Sequence, residues 1–191
     1  MRILEKMKNL TDKECPVESL RNEVKQSKCN ECGKCVFGYE GAAQLIMTLQ
    51  DITEKKGKSD DLALLQDLCG MIKSQCLCED GIHLADACLY AFEEYGDVLE
   101  AHIAKKGCIA GVCKSFMTYH ILAEECIGCG ECIDACEEDA IIGKKRFVHI
   151  IDQDECIRCG ACVDACEEDA IVTAGAIKPR CPKKPVPCKK R

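Results

Sequence analysis

The middle of the chain, residues 40–106, has apolar residues at helical spacing and predicts a small helical bundle. The successive apolar sets are Leu45, Leu49 and Ile52, then Leu65, Leu68 and Ile72, then a third pattern running from Leu84 to His102. Residues 55–61, KKGKSDD, interrupt the spacing and separate the first two helices. A further short helix is predicted over residues 16–26. We expect the apolar stripes to form the core of the bundle.

Two later segments alternate in the way that strands do. They are SFMTYHI (115–121) and KKRFVHIID (144–152), the second following a turn at Gly143. The predicted fold class is therefore α+β, a helical bundle followed by a compact unit of strands and short helices. The predicted domains are residues 1–114, residues 115–177 and a tail over residues 178–191.

Cysteine content limits the classes of protein to consider. The chain has 191 residues, of which 20 are cysteine and none tryptophan. Such a sequence is either a secreted disulfide scaffold or an intracellular metal-binding protein. The N-terminus MRILEKMKNLTDKEC has no apolar stretch of signal-peptide length, and no run of 18 apolar residues occurs. We expect a reduced, metal-loaded, cytoplasmic protein without a transmembrane segment.

Charge is distributed unevenly. The formal net charge is −7, yet the tail from Lys178 onward has seven basic residues and no acidic one, so the remainder carries 19 basic against 33 acidic groups. An acidic surface repels nucleic acid and favours a basic patch on a protein partner. The proline-rich tail is predicted to be a flexible arm that contacts a partner.

A repeat in the C-terminal half carries the strongest motif. The segments ECIGCGECIDACEEDAI (125–141) and ECIRCGACVDACEEDAI (155–171) lie thirty residues apart, and each contains Cys-x2-Cys-x2-Cys-x3-Cys. This resembles the bacterial two-cluster ferredoxins, in which the fourth cysteine of each run serves the other cluster. The resemblance implies one 4Fe–4S cluster on Cys126, Cys129, Cys132 and Cys166, and a second on Cys156, Cys159, Cys162 and Cys136. Glu137 and Glu167 replace the usual proline, and the acidic groups there favour low reduction potentials.

A third cysteine group lies within the predicted bundle. Cys29, Cys32 and Cys35 follow one another at three-residue steps, and Cys76 and Cys78 lie in the later segment SQCLCEDG. The first three thiols, together with either Cys76 or Cys78, could hold a third 4Fe–4S cluster. Helix N-termini lie near these residues, and their dipoles favour anions. A zinc knuckle on the same thiols is the alternative.

The stretch from Cys15 to Ile171 resembles the C-terminal iron–sulfur part of the NADH-binding subunit of complex I and of bifurcating hydrogenases. The resemblance rests on ECGKC, SQCLCEDG, CIAGVCK and the ferredoxin repeat. In that family the third cluster ligand would fall on Gly38, so Cys29 is its nearest replacement. The fourth ligand aligns with Cys78, with Cys76 as the alternative.

A zinc site is predicted where the bundle ends. His102, Cys108 and Cys113 form a His-x5-Cys-x4-Cys pattern, although a histidine near a helix C-terminus is often only a surface residue. The resemblance implies a structural zinc with an upstream cysteine that falls on Cys15, which gives a closed Cys3His set. The remaining histidines are expected to have ordinary roles, and Cys69 and Cys88 to be small buried hydrophobes.

The predicted function is electron transfer. Only fourteen residues precede Cys15 and no phosphate-binding glycine loop occurs, so we expect neither flavin nor NAD and no catalysis by the chain itself. Three clusters would relay single electrons between an electron-donor module and a larger catalytic redox subunit. The preferred complex is a tungsten-dependent benzoyl-CoA reductase. The alternatives are a free low-potential polyferredoxin and a bridging subunit of a flavin-based bifurcating hydrogenase.

Overall fold

The computed structural model describes residues 2–29 and 35–188. The chain forms two compact units, Met1–Phe116 and Met117–Arg191, which we call the helical unit and the sheet unit. The two units are defined by how the chain packs, whereas the predicted domains 1–114, 115–177 and 178–191 are defined by the cofactors that they would bind. The predicted domain boundaries therefore stay a prediction.

Six helices make up the described part of the helical unit. They are α1 (Arg2–Lys8), α2 (Pro16–Lys25), α3 (Val36–Thr53), α4 (Asp61–Gln75), α5 (Glu79–Glu94) and α6 (Gly96–Ile103). Helix α3 packs against α2 and α4, and α5 packs against α4 and α1. None of the helices in residues 2–29 and 35–188 combines the length and the apolarity that crossing a bilayer requires.

The predicted apolar stripes form the core of this unit. The side chains of Leu45, Leu49 and Ile52 on α3 are fully buried, as are those of Leu65 and Ile72 on α4. Burying one such side chain stabilises a fold by roughly 1.5–3 kcal/mol, so these stripes account for the packing of the two helices. The sequence pattern was therefore a sound guide to the bundle.

Two features of the helical unit differ from the prediction. The pattern from Leu84 to His102 is divided between α5 and α6, since Tyr95 leaves the helical region at φ −114° and ψ 24°. The Tyr95 hydroxyl donates a hydrogen bond of 2.7 Å to the backbone carbonyl of Met7. This bond attaches α1, a helix that the sequence analysis missed because Met7 is the one fully buried residue in its seven-residue span.

Gly41 provides a test of helix packing. A Cβ at this position of α3 would lie 2.6 Å from Ile72 Cδ1 and 2.7 Å from Ile72 Cγ1, whereas a Cβ at Gly70 of α4 would have nothing within 4 Å. We expect Gly41→Ala to destabilise the unit by about 1–3 kcal/mol through overpacking. Gly70→Ala, the matched control, should stabilise it by about 0.5–1 kcal/mol through helix propensity. Denaturant unfolding measures both, and equal shifts of the same sign would contradict the packing described here.

The sheet unit contains four short strands and two single-turn helices in its described part. They are β1 (Thr118–Ile121), α7 (Glu131–Asp134), β2 (Ile141–Ile142), β3 (Ile150–Ile151), α8 (Ala161–Asp164) and β4 (Ile171–Ala174). Strand β1 pairs antiparallel with β4, and β2 pairs antiparallel with β3. The unit thus mixes helices and strands, in agreement with the predicted α+β class.

The strand predicted over residues 144–152 is much shorter than expected. Only Ile150–Ile151 belongs to a strand, because Arg146 has a positive φ of 67° that an extended chain cannot accommodate. The backbone N–H of Arg146 donates to the carbonyl of Gly128 at 2.9 Å. Residues 144–149 therefore follow the first cysteine loop instead of extending β3.

The tail is ordered along the sheet unit as far as residue 188. Val148 N–H donates to the carbonyl of Val186 at 2.7 Å, and Cys188 N–H donates to the carbonyl of Arg146 at 3.0 Å. These bonds flank an antiparallel bridge between Phe147 and Pro187. The prediction of a flexible arm is wrong for this part of the tail, because its backbone groups pair with those of residues 146–148.

Candidate metal centres

The first candidate centre brings together the four residues that the sequence predicted as a zinc site. The ligand atoms of Cys15, His102, Cys108 and Cys113 all lie within 4.8 Å of one another, and all four residues are buried. His102 Nε2 lies 3.5 Å from Cys15 Sγ and 3.6 Å from Cys113 Sγ. The site thus combines residues that are 87 positions apart in the sequence.

Three pieces of chain supply these side chains. Cys15 is the N-cap residue of α2, His102 lies on α6, and the two remaining cysteines lie in the loop that follows α6. Gly107 and Gly111 have positive φ values of 133° and 68° in this loop. Residues with side chains rarely adopt such conformations, so the two glycines permit the turns that direct Cys108 and Cys113 to the same point.

A hydrogen bond on the side of the His102 ring away from the thiols fixes the orientation of the imidazole. His102 Nδ1 donates a hydrogen bond of 2.7 Å to the backbone carbonyl of Val98. This bond fixes the ring so that Nε2 faces the thiols of Cys15 and Cys113. Histidines that bind metals commonly donate their other ring N–H to a carbonyl in this way. The ring of Phe116 packs edge-on against the imidazole, with centroids 4.9 Å apart.

The charges of this site are concentrated in a buried space. Hydrogen bonds from Cys113 and Cys15 lower the pKa of Cys108 far below its usual range, which makes it a thiolate. Burial alone would lower the pKa of His102, but the neighbouring Cys108 and Cys15 raise it to about 10. A buried thiolate is costly unless a positive charge compensates it, and a bound cation supplies that charge.

The residues present fit a tetrahedral zinc ion. With Zn–S of about 2.3 Å and Zn–N of about 2.05 Å, tetrahedral geometry separates the sulfur and nitrogen ligands by about 3.6 Å. The two measured Sγ–Nε2 separations are 3.5 Å and 3.6 Å. Four protein ligands leave no open coordination position, which is the arrangement of structural rather than catalytic zinc.

The second candidate centre is formed by cysteines of the helical unit. Cys76 Sγ lies 3.0 Å from Cys35 Sγ and 3.4 Å from Cys78 Sγ. Cys29 is buried next to Cys78 and Cys76, and its burial and these neighbours raise its pKa to about 12. Cys32 lies outside the described residues. The sulfurs of Cys35, Cys76 and Cys78 all lie within 4.8 Å of one another, and Cys29 lies next to this group.

The thiols of Cys35, Cys76 and Cys78 lie at different ends of their helices. Cys35 is the N-cap of α3 and Cys78 is the N-cap of α5, whereas Cys76 is the C-cap of α4. Hydrogen bonds from the Cys76 thiol and from the backbone of Gly38 and Leu77 lower the pKa of Cys35. Burial and then the bond to Cys35 raise the pKa of Cys76 to about 12. Helix N-termini favour negative charge and C-termini disfavour it, so Cys35 and Cys78 are better placed than Cys76 to act as thiolates.

Two glycines leave room beside these sulfurs. A Cβ on Gly81 would lie 2.2 Å from Cys76 Sγ, and a Cβ on Gly38 would lie 3.3 Å from the same atom. Both glycines lie in the first turn of their helices, α5 and α3. Backbone N–H groups consequently approach the thiols closely, which suits an anionic iron–sulfur cluster.

The third candidate centre is the repeat in the sheet unit. One cavity is lined by Cys126, Cys129, Cys132 and Cys166, and another by Cys136, Cys156, Cys159 and Cys162. Each set thus takes three cysteines from one run and one from the other, in the arrangement that the ferredoxin resemblance implies. The binding of clusters by these two sets stays a prediction.

The backbone of the two cysteine loops repeats even where the side chains differ. Positive φ values recur thirty residues apart, at Gly128 (71°) and Arg158 (61°), and at Gly130 (106°) and Gly160 (91°). Arg158 tolerates this conformation with its side chain anchored, since its Nε donates to the carbonyl of Met117 at 3.0 Å. The shared conformation indicates that both loops are shaped for the same kind of ligand.

The sequence analysis missed two residues that lie beside cysteines of the first set. His149, which it assigned an ordinary role, is buried with Nδ1 at 3.1 Å from Cys132 Sγ. Cys188 packs against the apolar core of the sheet unit, where burial and the neighbouring Cys126 raise its pKa. The thirty-residue repeat could have identified His149, because its counterpart is Tyr119. No comparable signal pointed to Cys188.

Two regions of the chain are similar to known protein families. Residues 18–102 match the NADH-ubiquinone oxidoreductase-F iron-sulfur binding region, and residues 125–171 match the 4Fe-4S dicluster domain. Over 118 residues, or 62% of the chain, the sequence is 36% identical to the NADP-reducing hydrogenase subunit HndC of Solidesulfovibrio fructosivorans. The chain spans 24% of the length of that relative.

These matches confirm the resemblance and the fold class drawn from the sequence. Residues 18–102 are thus similar to an iron–sulfur binding region of the NADH-ubiquinone oxidoreductase type, and residues 125–171 to a dicluster domain of the 4Fe–4S type. Each matched region includes one of the cysteine groups described above.

Proposed function

We propose that this chain is an electron-transfer subunit that relays single electrons through three 4Fe–4S clusters to or from a larger oxidoreductase subunit. The observation that carries the proposal is the pair of cysteine sets lining two cavities of the sheet unit, within a matched 4Fe–4S dicluster domain. The chain itself carries out no reaction on a substrate in this proposal. Sites for nicotinamide and flavin are assigned to partner subunits.

The ligands of the sheet-unit clusters are assigned by the repeat. The first cluster takes Cys126, Cys129, Cys132 and Cys166, and the second takes Cys156, Cys159, Cys162 and Cys136. Burial raises the pKa of Cys132 to about 12 and that of Cys162 to about 11. Such buried thiols become thiolates only with a metal to compensate their charge, which supports a metal-binding role for both sets.

The ligands of the bundle cluster are proposed to be Cys29, Cys32, Cys35 and Cys78. The helix N-terminal positions of Cys35 and Cys78 support their selection over Cys76. In this assignment Cys76 stays protonated and donates its S–H to the Cys35 thiolate. The first candidate centre, Cys15, His102, Cys108 and Cys113, is proposed to hold a structural zinc ion.

A surface beside the bundle cysteines is suited to a protein partner. Leu77 lies between Cys76 and Cys78 and is 97% exposed, and Val36 and Phe37, which follow Cys35, are also exposed. We assign this apolar group to contact with the larger redox subunit, where electrons would enter or leave through the bundle cluster. Exposed apolar residues next to a functional group are typical of interaction sites.

The partner is proposed to be a hydrogenase complex. The matched relative is named as an NADP-reducing hydrogenase subunit, which favours the hydrogenase alternative drawn from the sequence. Neither that name nor the two region descriptions supports the preferred benzoyl-CoA reductase, which stays a prediction from the sequence. A bridging role in a multisubunit hydrogenase is therefore the function that we put forward.

Anaerobic isolation of the chain with its native partners tests this function. We expect about twelve irons and about one zinc per chain, because three clusters contain four irons each and the Cys15–His102–Cys108–Cys113 centre holds a single ion. Reduction by the partner should bleach the visible absorption and produce EPR signals from the clusters. A colourless, iron-free protein would contradict the proposal. An iron-loaded chain that migrates alone in size-exclusion chromatography would indicate a free polyferredoxin instead.

A further inference from the structure

The imidazole of His149 faces a cysteine of the first sheet-unit set. His149 precedes β3, its side chain is 1% exposed, and its Nδ1 lies 3.1 Å from Cys132 Sγ. A Cβ on Gly143 would lie 2.1 Å from His149 Cδ2, so the absence of a side chain at Gly143 makes room for the ring. The burial and this close packing hold the imidazole in one position against Cys132.

The same position of the repeat has a different side chain at the second set. Thirty residues before His149 lies Tyr119, which lines the cavity of Cys136, Cys156, Cys159 and Cys162. Burial raises the pKa of Tyr119, and the nearby Cys162, Cys159 and Cys156 raise it further. One structural position therefore places an imidazole beside the first set and a phenol beside the second.

The hydrogen-bond partners of His149 decide which of its two ring nitrogens carries the proton. Its Nε2 is buried and makes no hydrogen bond of good geometry within the described residues. A thiolate on Cys132 accepts hydrogen bonds, so its presence favours the tautomer with the proton on Nδ1.

We propose that His149 is a positioning residue that donates its Nδ1–H to the Cys132 thiolate and makes the first sheet-unit cluster easier to reduce than the second. This inference rests on the proposed cluster ligands Cys126, Cys129, Cys132 and Cys166. A hydrogen bond to a cluster thiolate stabilises the more negative, reduced state and so raises the reduction potential. Glu168 lines the cavity of the first set, and Glu137 and Glu138 line the cavity of the second, so carboxylates oppose reduction at both clusters and do not produce the difference proposed here.

The physical consequence is a difference in potential between two clusters with almost identical cysteine motifs. Electrons entering the sheet unit would reside preferentially on the cluster beside His149. A buried charge-assisted hydrogen bond is strong enough for a tenfold change in the ratio of reduced to oxidised cluster at a fixed potential. For a one-electron couple, a tenfold change is ~59 mV.

The test compares His149→Phe, His149→Asn and Tyr119→Phe in the full chain, purified anaerobically and titrated by EPR-monitored reduction. His149→Phe keeps an aromatic ring but removes the donor, and should lower the ratio of reduced to oxidised first cluster about tenfold at a fixed potential. His149→Asn, which places an amide N–H near the position of Nδ1, should restore much of that loss. Tyr119→Phe should leave this cluster unchanged. Cys129→Ser identifies the affected signal, because it removes a ligand of the first cluster alone.

The outcomes separate this inference from the proposed function. Equal potentials of the first cluster in wild type and in His149→Phe, at equal iron content, would overturn the role of His149 while the electron-transfer proposal stands. Absence of iron from the wild-type chain would overturn the proposed function. If His149→Phe loses iron, Gly143→Ala provides the same comparison, because its methyl group would displace the imidazole from Cys132 without removing a titratable side chain.

Discussion

Replacing His102 with alanine is expected to release the zinc and to lower the free energy of unfolding of the helical unit by about 3–5 kcal/mol. The loss is large because His102 is fully buried among three cysteines, so its removal leaves thiolate charge without compensation. Zinc analysis by mass spectrometry and denaturant unfolding under anaerobic conditions measure the two effects. His83→Ala, on the exposed side of α5, is the control and should change neither.

A chelator separates the metal from the packing of the ring. Treating the wild type with a zinc chelator should lower its unfolding midpoint towards that of His102→Ala, and the variant should not respond. Acidification should act in the same direction, because protons compete with zinc for the thiolates and zinc affinity falls as pH falls. A wild-type chain that contains no zinc, or whose midpoint ignores the chelator, would exclude this centre.

Replacing Cys78 with serine is expected to remove about four irons per chain, the content of one cluster, and to leave the sheet-unit EPR signals intact. Cys76→Ser, two positions earlier, is expected to keep all of the iron. The physical reason is the helix dipole, since Cys78 caps the N-terminus of α5 and Cys76 caps the C-terminus of α4. Cys69→Ala, a fully buried cysteine on α4, is the control for loss of a thiol from the bundle.

Iron analysis of single variants shows which of Cys29, Cys76 and Cys78 are ligands of this centre. Loss of iron from Cys76→Ser alone would exchange the roles of Cys76 and Cys78. Loss from both variants would make each a ligand and leave Cys29 as the spare thiol, with Cys29→Ser then retaining its iron. Full iron content in Cys29→Ser, Cys76→Ser and Cys78→Ser would contradict a cluster in the helical unit.

Elements built from local patterns were predicted well. The stripe of Leu45, Leu49 and Ile52 lies on α3 and is buried, because helical periodicity and burial follow directly from residue spacing. The predictions failed where a distant contact decided the local structure. Residues 144–149 are not a strand because Arg146 bonds to Gly128, and the tail is not a free arm because Val186 and Cys188 pair with residues 146–148.

The same contrast between local patterns and distant contacts holds for the candidate metal centres. The ferredoxin-type runs were recognisable because their ligands lie within a few residues of one another, and short loops restrict where such side chains can be. His149 could have been found only through its repeat counterpart Tyr119, because no cysteine of the first run is close to it in sequence. Its contact with Cys132 depends on the folding of residues 144–149 around the first cysteine loop.

By itself, the sequence determined the residue types, the repeat and the helical stripes, and with them the conclusion that the cysteines serve iron–sulfur chemistry. Only the tertiary structure decided which thiols meet: Cys15 with His102, 87 positions away, and Cys35 with Cys76, 41 positions away. The reason is that spacing constrains neighbours along the chain, whereas ligands distant in sequence are brought together by helix packing and loop turns that depend on the whole unit.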